Sequence, residues 1–348
     1  MKPRRIAWMT GVLLLAPGLG WAGPAHVPVV TDVEAWKKMP RAEEGGGQRL
    51  PVWIRALAGT LPKTAAAMIE LDYAQRVESP LPPRLRAKLR WIAADANRCD
   101  YAKAYARFDY IQAHGKAEDI DNLPRQLDRL PEAERLALQL VRQLVEAAYT
   151  VEDKQVAQLV KLYGEKQVVA IVLVAAYANF QDRLLLGLGV SVEPDGPLPP
   201  PKVRFHKPPP PDKKEDAKKA EEKKEKPKRK VSPPAKNPPP VPEKVDDPEW
   251  TAASFDSLRQ KLNGQIARRQ ARVSIPDWEI VRDNLPDSVP KPEKPIRIKW
   301  SLLTYGHQPR LAAAWLGGLR AFHQESDLDP VFHESMFWVV TRSLQCFY

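Results

Sequence analysis

Residues 62–101 read PKTAAAMIELDYAQRVESPLPPRLRAKLRWIAADANRCDY, and residues 309–348 read PRLAAAWLGGLRAFHQESDLDPVFHESMFWVVTRSLQCFY. Aligned without a gap, at an offset of 247 residues, the two stretches share 12 identities in 40 positions. Two unrelated stretches of this length and of average composition would share roughly two or three identities. We call them the first repeat and the second repeat. Trp53 and Trp300 keep the same offset upstream, so the sequence predicts a duplicated domain.

The stretch around the first repeat, residues 50–192, has the apolar spacing of helices. Leu136, Leu140, Val141 and Leu144 follow the helical period. Thr150 with Asp153 resembles a capping box, and Gly164 is placed to end the next helix. Alternating strand patterns and hairpin turn signals are absent from this stretch. The predicted fold class is all-α.

Composition divides the 348-residue chain into five parts. The predicted boundaries are a signal peptide at 1–22, an N-terminal extension at 23–49, a helical domain at 50–192, a Pro/Lys-rich disordered linker at 193–248 and a second, incomplete helical domain at 249–348. The leader has a basic start, an apolar stretch too short to span a bilayer, and small residues at the cleavage position. We therefore expect export to the periplasm or cell envelope, with an uncleaved membrane anchor as the alternative.

The net charge of +11 is unevenly distributed. The leader carries +3, and residues 201–248 hold 15 Lys or Arg against 9 Asp or Glu, so the remainder has a net charge of only +2. This balance argues against a nucleic-acid-binding domain. The linker composition is typical of an extended, disordered spacer. Its lysines either contact an anionic surface, such as lipid or cell-wall polymer, or form a plain solvated tether.

The motifs of the first repeat resemble those of the carboxymuconolactone decarboxylase and alkylhydroperoxidase-D-like superfamily. The similar segments are the run from Glu78 to Pro83, the helix with Trp91, the run from Asn97 to Tyr101, and the later stretch that begins Tyr163-Gly164-Glu165. The resemblance implies small helical domains that form homo-oligomers. It also implies a Glu-x11-Cys-x2-Cys-x3-His motif in the peroxidase branch, where two cysteines reduce a hydroperoxide and then form a disulfide.

The motif is incomplete in both repeats. In the first repeat Cys99 matches the first cysteine, but Ala87, Ala102 and Ala106 stand at the glutamate, second cysteine and histidine positions. The resemblance therefore implies a degenerate site there. In the second repeat Glu334 and Cys346 match, and the other two positions would lie beyond Tyr348. The candidate catalytic residues are thus Cys346, Glu334 and, in the degenerate copy, Cys99.

The two repeats also differ in the length of chain on their C-terminal side. About 89 further residues, to Val190, continue the helical domain after the first repeat, whereas Tyr348 ends both the second repeat and the given sequence. Either this chain is a truncated product, or the first repeat or a partner chain covers the apolar residues of the second, such as Trp315 and Trp338. The sequence leaves this choice open.

From these observations we expect an exported alkylhydroperoxidase-like thiol peroxidase with little activity in this form. Its partners would be a hydroperoxide or small organic substrate, a thiol reductant and further copies of itself. No cofactor, metal or nucleic acid is expected. The alternative is a non-catalytic envelope scaffold or interaction protein that retains the helical fold. A third interpretation is decarboxylase or isomerase chemistry on a cyclic acid. This chemistry needs an acidic or basic side chain near the pocket, and the alanines of the first repeat do not supply one.

Overall fold

The structure is a computed structural model. It describes residues 25–206, 271–286 and 298–343, together with residues 256, 260, 264, 289, 291 and 294–296. The predicted signal peptide, most of the predicted linker and Cys346 lie outside these residues. The structure is 68% helical and 2% strand, which confirms the predicted all-α class.

The N-terminal unit, residues 25–206, contains most of the helices. In chain order they are α1 Asp32–Lys38, α2 Val52–Ala58, α3 Pro62–Tyr73, α4 Pro83–Ala96, α5 Asp100–Gln112, α6 Ala117–Asp121, α7 Leu123–Gln126, α8 Glu132–Ala147, α9 Asp153–Tyr163 and α10 Glu165–Leu188. A π-helical segment, Ala74–Glu78, extends α3. A short antiparallel pair joins β1, Ala42–Glu44, to β2, Arg204–Phe205.

Helix α4 is the centre of this unit. Pro83 occupies its first turn, where a missing N–H has no consequence. The helix packs against α5, α8 and α10, and its side chains Leu89, Trp91 and Ile92 are buried among them. Burial on several sides leaves little room for polar residues, which explains the run Trp91-Ile92-Ala93-Ala94.

Helix α10 is long and apolar enough to cross a membrane by length and composition, but 61% of its apolar window is buried inside the protein. Its side chains Val168, Ile171 and Val174 belong to the core that also contains α4. It therefore acts as a core helix of this unit.

Both ends of the N-terminal unit extend beyond the predicted boundaries. Trp36 of the predicted extension stacks on Phe205, with ring centroids 6.2 Å apart. Residues 193–206, assigned to the linker from their composition, pack on the helices. Glu193 is buried and accepts hydrogen bonds from the Tyr101 and Tyr105 hydroxyls at 2.8 and 2.7 Å and from the Val52 amide at 2.8 Å. Hydrogen bonding from the core fixes this segment, which composition alone does not reveal.

The start of α9 also differs from the prediction. Glu152, not Thr150, is the N-cap residue, and it forms a capping box with Gln155. The Thr150 hydroxyl instead donates to the Ala147 carbonyl. Gly164 ends the helix as predicted, with a φ of 76° that favours glycine.

The C-terminal helices are α11 Trp278–Asp283, α12 Lys299–His307, α13 Pro309–Glu325 and α14 Pro330–Ser343. Three of them begin 247 residues after a helix of the N-terminal unit: α12 after α2, α13 after α3 and α14 after α4. Trp278, Val281 and Tyr305 form a small core of their own with Ala312.

Helices α3 and α13, which begin the two repeats, pack against each other in antiparallel orientation. At one end, the Glu325 carboxylate accepts from the Lys63 and Thr64 amides, each at 2.6 Å, and from the Thr64 hydroxyl at 2.8 Å. At the other end, Arg310 Nη1 lies 3.5 Å from Glu78 Oε1. Glu78 and Glu325 are equivalent in the repeat, as are Lys63 and Arg310, so the pairing has approximate two-fold symmetry.

Gly318 lies near the middle of α13 and faces the Met68 side chain of α3. A Cβ atom at this position would lie 2.2 Å from Cε of Met68. About one turn before Gly318 on α13, Trp315 packs edge-on against Phe180 of α10, with ring centroids 5.5 Å apart. The second repeat thereby contributes side chains to the core of the N-terminal unit.

We predict that Glu325→Ala lowers the free energy of unfolding by about 1–2 kcal/mol, because it removes the acceptor for the first-turn amides of α3. Urea unfolding of the full chain measures the change. Glu334→Ala is the matched control at an exposed position, with an expected change under about 0.5 kcal/mol. Equal values for the two variants would contradict the capping role of Glu325.

Candidate functional site

The predicted first-repeat cysteine lies at the turn between α4 and α5. Arg98, which precedes it, has a φ of 56° in the left-handed region. Cys99 is the N-cap residue of α5, and its amide donates to the Ala94 carbonyl at 2.9 Å. Its side chain is a free thiol with an exposed fraction of only 1%. Solvent and a dissolved hydroperoxide therefore have no direct path to the sulfur.

Burial, together with a smaller effect of the nearby Asp182 carboxylate, raises the pKa of the Cys99 thiol to about 11. The backbone amide of Ala102 acts in the opposite direction, as expected at a helix N-terminus. Burial is the largest of these contributions. Because the resulting pKa lies well above 7, the thiol stays protonated at neutral pH. A nucleophilic cysteine requires the thiolate, so Cys99 is placed as a small buried apolar residue.

The other motif positions of the first repeat are also filled by buried, apolar side chains. Ala87, Ala102 and Ala106 lie within the two cores of the N-terminal unit. None of them can donate or accept a proton or form a disulfide.

A buried ion pair lies beside Cys99. Arg90 of α4 binds the Asp182 carboxylate of α10 with both terminal nitrogens, one of them at 3.1 Å. Asn97 donates to the same carboxylate at 2.9 Å. Burial alone would lower the pKa of Arg90, but Asp182 outweighs it and the pKa is raised. Asp182, which is fully buried, holds Arg90 in its charged form.

A second buried ion pair continues from the first. Arg76 of the π-helical segment donates to Asp109 at 2.8 and 2.7 Å and to Asp72 at 3.1 Å. Burial would lower the pKa of Arg76, but these two carboxylates raise it well above its usual value. Gln181 bridges the two pairs: it accepts from Arg90 at 2.9 Å and donates to Asp72 at 3.3 Å.

The sequence motifs did not predict this network. Its only sequence signals are Asp182 within the apolar helix α10 and the Asp72–Arg76 spacing of four residues. Charged residues are rarely buried without a partner, so their presence in core helices indicates pairing. The partner of each one depends on the tertiary fold.

In the second repeat, the predicted glutamate is exposed to solvent. Glu334, predicted as the relay acid, lies on α14 with a side chain that is 76% exposed, and its Oε1 is 3.5 Å from Nδ1 of His333. It lines an open depression of about 610 Å³ with residues of the same helix, among them Trp338 and Val339. Cys346 lies outside the described residues, so the distance between the two predicted residues is not defined.

Within the described ranges, no three His, Cys, Asp or Glu side chains gather as a metal ligand set requires. No protein-family model matches the chain, and no curated protein matches it.

We predict that Asp182→Ala destabilises the protein by about 3–5 kcal/mol, because it leaves the Arg90 guanidinium buried without a counter-ion. The matched control is Asp195→Ala, which breaks the exposed pair that Asp195 forms with Arg49 at 2.9 Å. This change should cost under about 1 kcal/mol. Urea unfolding measures both, and a small effect of Asp182→Ala would show that the buried pair has little structural role.

Proposed function

We propose that the chain is a duplicated, carboxymuconolactone-decarboxylase-like helical protein that functions as a non-catalytic scaffold or interaction protein. The observation that carries this proposal is the burial of Cys99, whose side chain is only 1% exposed. A buried thiol with a pKa of about 11 is poorly suited to peroxide reduction, because the reaction requires the thiolate.

The duplication is supported by helix positions. Helices α2, α3 and α4 begin 247 residues before α12, α13 and α14. The pairing of α3 with α13 adds to this support, because equivalent glutamates contact the opposite helix at both ends. Two related units packed in this way resemble an isologous dimer within one chain.

The location and partners that we propose come from the sequence. The leader at residues 1–22 supports export to the periplasm or cell envelope. The lysines of residues 213–230 suit an anionic envelope surface. Homo-oligomers belong to this proposal because the resembling family forms them.

We predict that Cys99 does not react with a thiol probe in the folded protein. In Cys346→Ser it is the only remaining thiol, since the chain has two cysteines. At pH 8 a pKa of about 11 leaves roughly one thiol in a thousand ionised, against roughly a quarter for an ordinary cysteine. Modification should therefore be at least about 100-fold slower in buffer than in urea.

Two controls make this experiment decisive. Cys99→Ser reports on Cys346 alone, and hydroperoxide consumption with a dithiol reductant is measured for both variants. We expect no turnover from Cys346→Ser. Fast labelling of its folded state would contradict the assignment of Cys99 as buried. Brisk turnover that requires Cys346 would replace the scaffold proposal with peroxidase chemistry in the second repeat.

A further inference from the structure

Two histidines lie side by side where α13 ends and α14 begins. His323 belongs to the last turn of α13 and His333 to the first turn of α14. Their imidazole ring centroids are 5.4 Å apart, and the ring planes meet at 73°. Two imidazoles on one tetrahedral zinc ion, each with a Zn–N distance of about 2.0–2.1 Å, have ring centroids about 5 Å apart. The spacing of the pair therefore matches that of two histidine ligands of a single ion.

The first repeat has arginine at both equivalent positions, Arg76 and Arg86. A guanidinium stays charged and offers no lone pair to a metal, whereas a neutral imidazole is a common metal ligand. Arg76 donates to Asp72, but Leu319 stands at the position of Asp72 in the second repeat. An ion pair of the kind that Arg76 forms with Asp72 therefore does not explain the histidines.

The surroundings of the histidine pair suit a cation. Oε1 of Glu334 lies 3.5 Å from Nδ1 of His333, and Asp327 is exposed in the connection between α13 and α14. A metal-binding histidine usually directs its other ring nitrogen toward a carboxylate, so Glu334 leaves Nε2 of His333 for the ion. Phe322 adds an apolar neighbour, with its ring centroid 6.1 Å from that of His323 and 6.4 Å from that of His333.

We propose that His323 and His333 bind one divalent transition-metal ion of the class that prefers imidazole nitrogen, such as Zn²⁺, and that Glu334 positions His333. Within the described residues no third His, Cys, Asp or Glu completes a ligand set, so water fills the other coordination positions. The ion links the last turn of α13 to the first turn of α14 and thereby holds the corner between the two helices.

The test is isothermal titration calorimetry of Zn²⁺ into the full chain carrying Cys346→Ser. This background removes a thiol that would compete for zinc, and Cys99 is buried. We expect saturable binding of one ion per chain. His323→Gln and His333→Gln should each weaken it at least about tenfold, because each removes one of the two protein ligands, and Glu334→Gln should weaken it several-fold.

His114→Asn is the matched control. His114 is an exposed histidine of the N-terminal unit with a φ of 61°, a left-handed conformation that asparagine also adopts. This change should leave the zinc affinity unaltered. Absence of saturable binding, or full affinity in both His323→Gln and His333→Gln, would overturn the inference, as would an equal loss of affinity in His114→Asn.

Amide hydrogen exchange in the same background gives a second readout. Because the ion joins α13 to α14, saturating Zn²⁺ should slow exchange in the first turns of α14. It should have no such effect in His323→Gln, although His323 itself lies on α13. Exchange in α14 that is the same with and without Zn²⁺ would overturn the proposed link. A reactive Cys99 would contradict the scaffold proposal and would leave this inference unaffected.

Discussion

The antiparallel packing of α3 against α13 is the constraint on which the arrangement of the two halves depends. Gly318 of α13 faces the Met68 side chain of α3 where the two helices meet. Amides in the first turn of a helix have no acceptor within their own helix. Glu325 supplies that acceptor from the other repeat. One carboxylate therefore accepts hydrogen bonds from the first turn of α3 and ties α13 to it. Trp315 of α13 packs, half-buried, against the core of the N-terminal unit.

The same low-dielectric interior explains both the strength of the buried ion pairs and the raised pKa of Cys99. Burial strengthens the attraction between Arg90 and Asp182 and disfavours a lone negative charge on Cys99. A peroxidatic thiolate needs a positive neighbour or a base with access to solvent. Here the nearest guanidinium is already neutralised by Asp182. The region that resembles a redox site is therefore organised as a structural core, which supports the scaffold proposal more strongly than the missing motif residues do alone.

Sequence reasoning reached the helical class because the apolar period is strong. The duplication stays a prediction, which rests on identities such as Trp91 with Trp338 that are spaced without a gap. Sequence reasoning failed where tertiary contacts override composition. Residues 193–206 have the proline content of a linker, yet Glu193 anchors them through Tyr101 and Tyr105. Glu152, rather than the predicted Thr150, is the N-cap residue of α9. The Thr150 hydroxyl instead donates to the Ala147 carbonyl in the preceding turn. The burial of Cys99 likewise depends on packing that no motif encodes.

Amide hydrogen exchange at Lys63 and Thr64 tests the central claim most directly. Both amides belong to the first turn of α3, where no intrahelical acceptor exists, so in an isolated helix they would exchange rapidly. Packing of the second repeat against the first predicts protection of both amides in the full chain and loss of that protection in Glu325→Ala. Rapid exchange at both positions in the unaltered protein would contradict the pairing of α3 with α13.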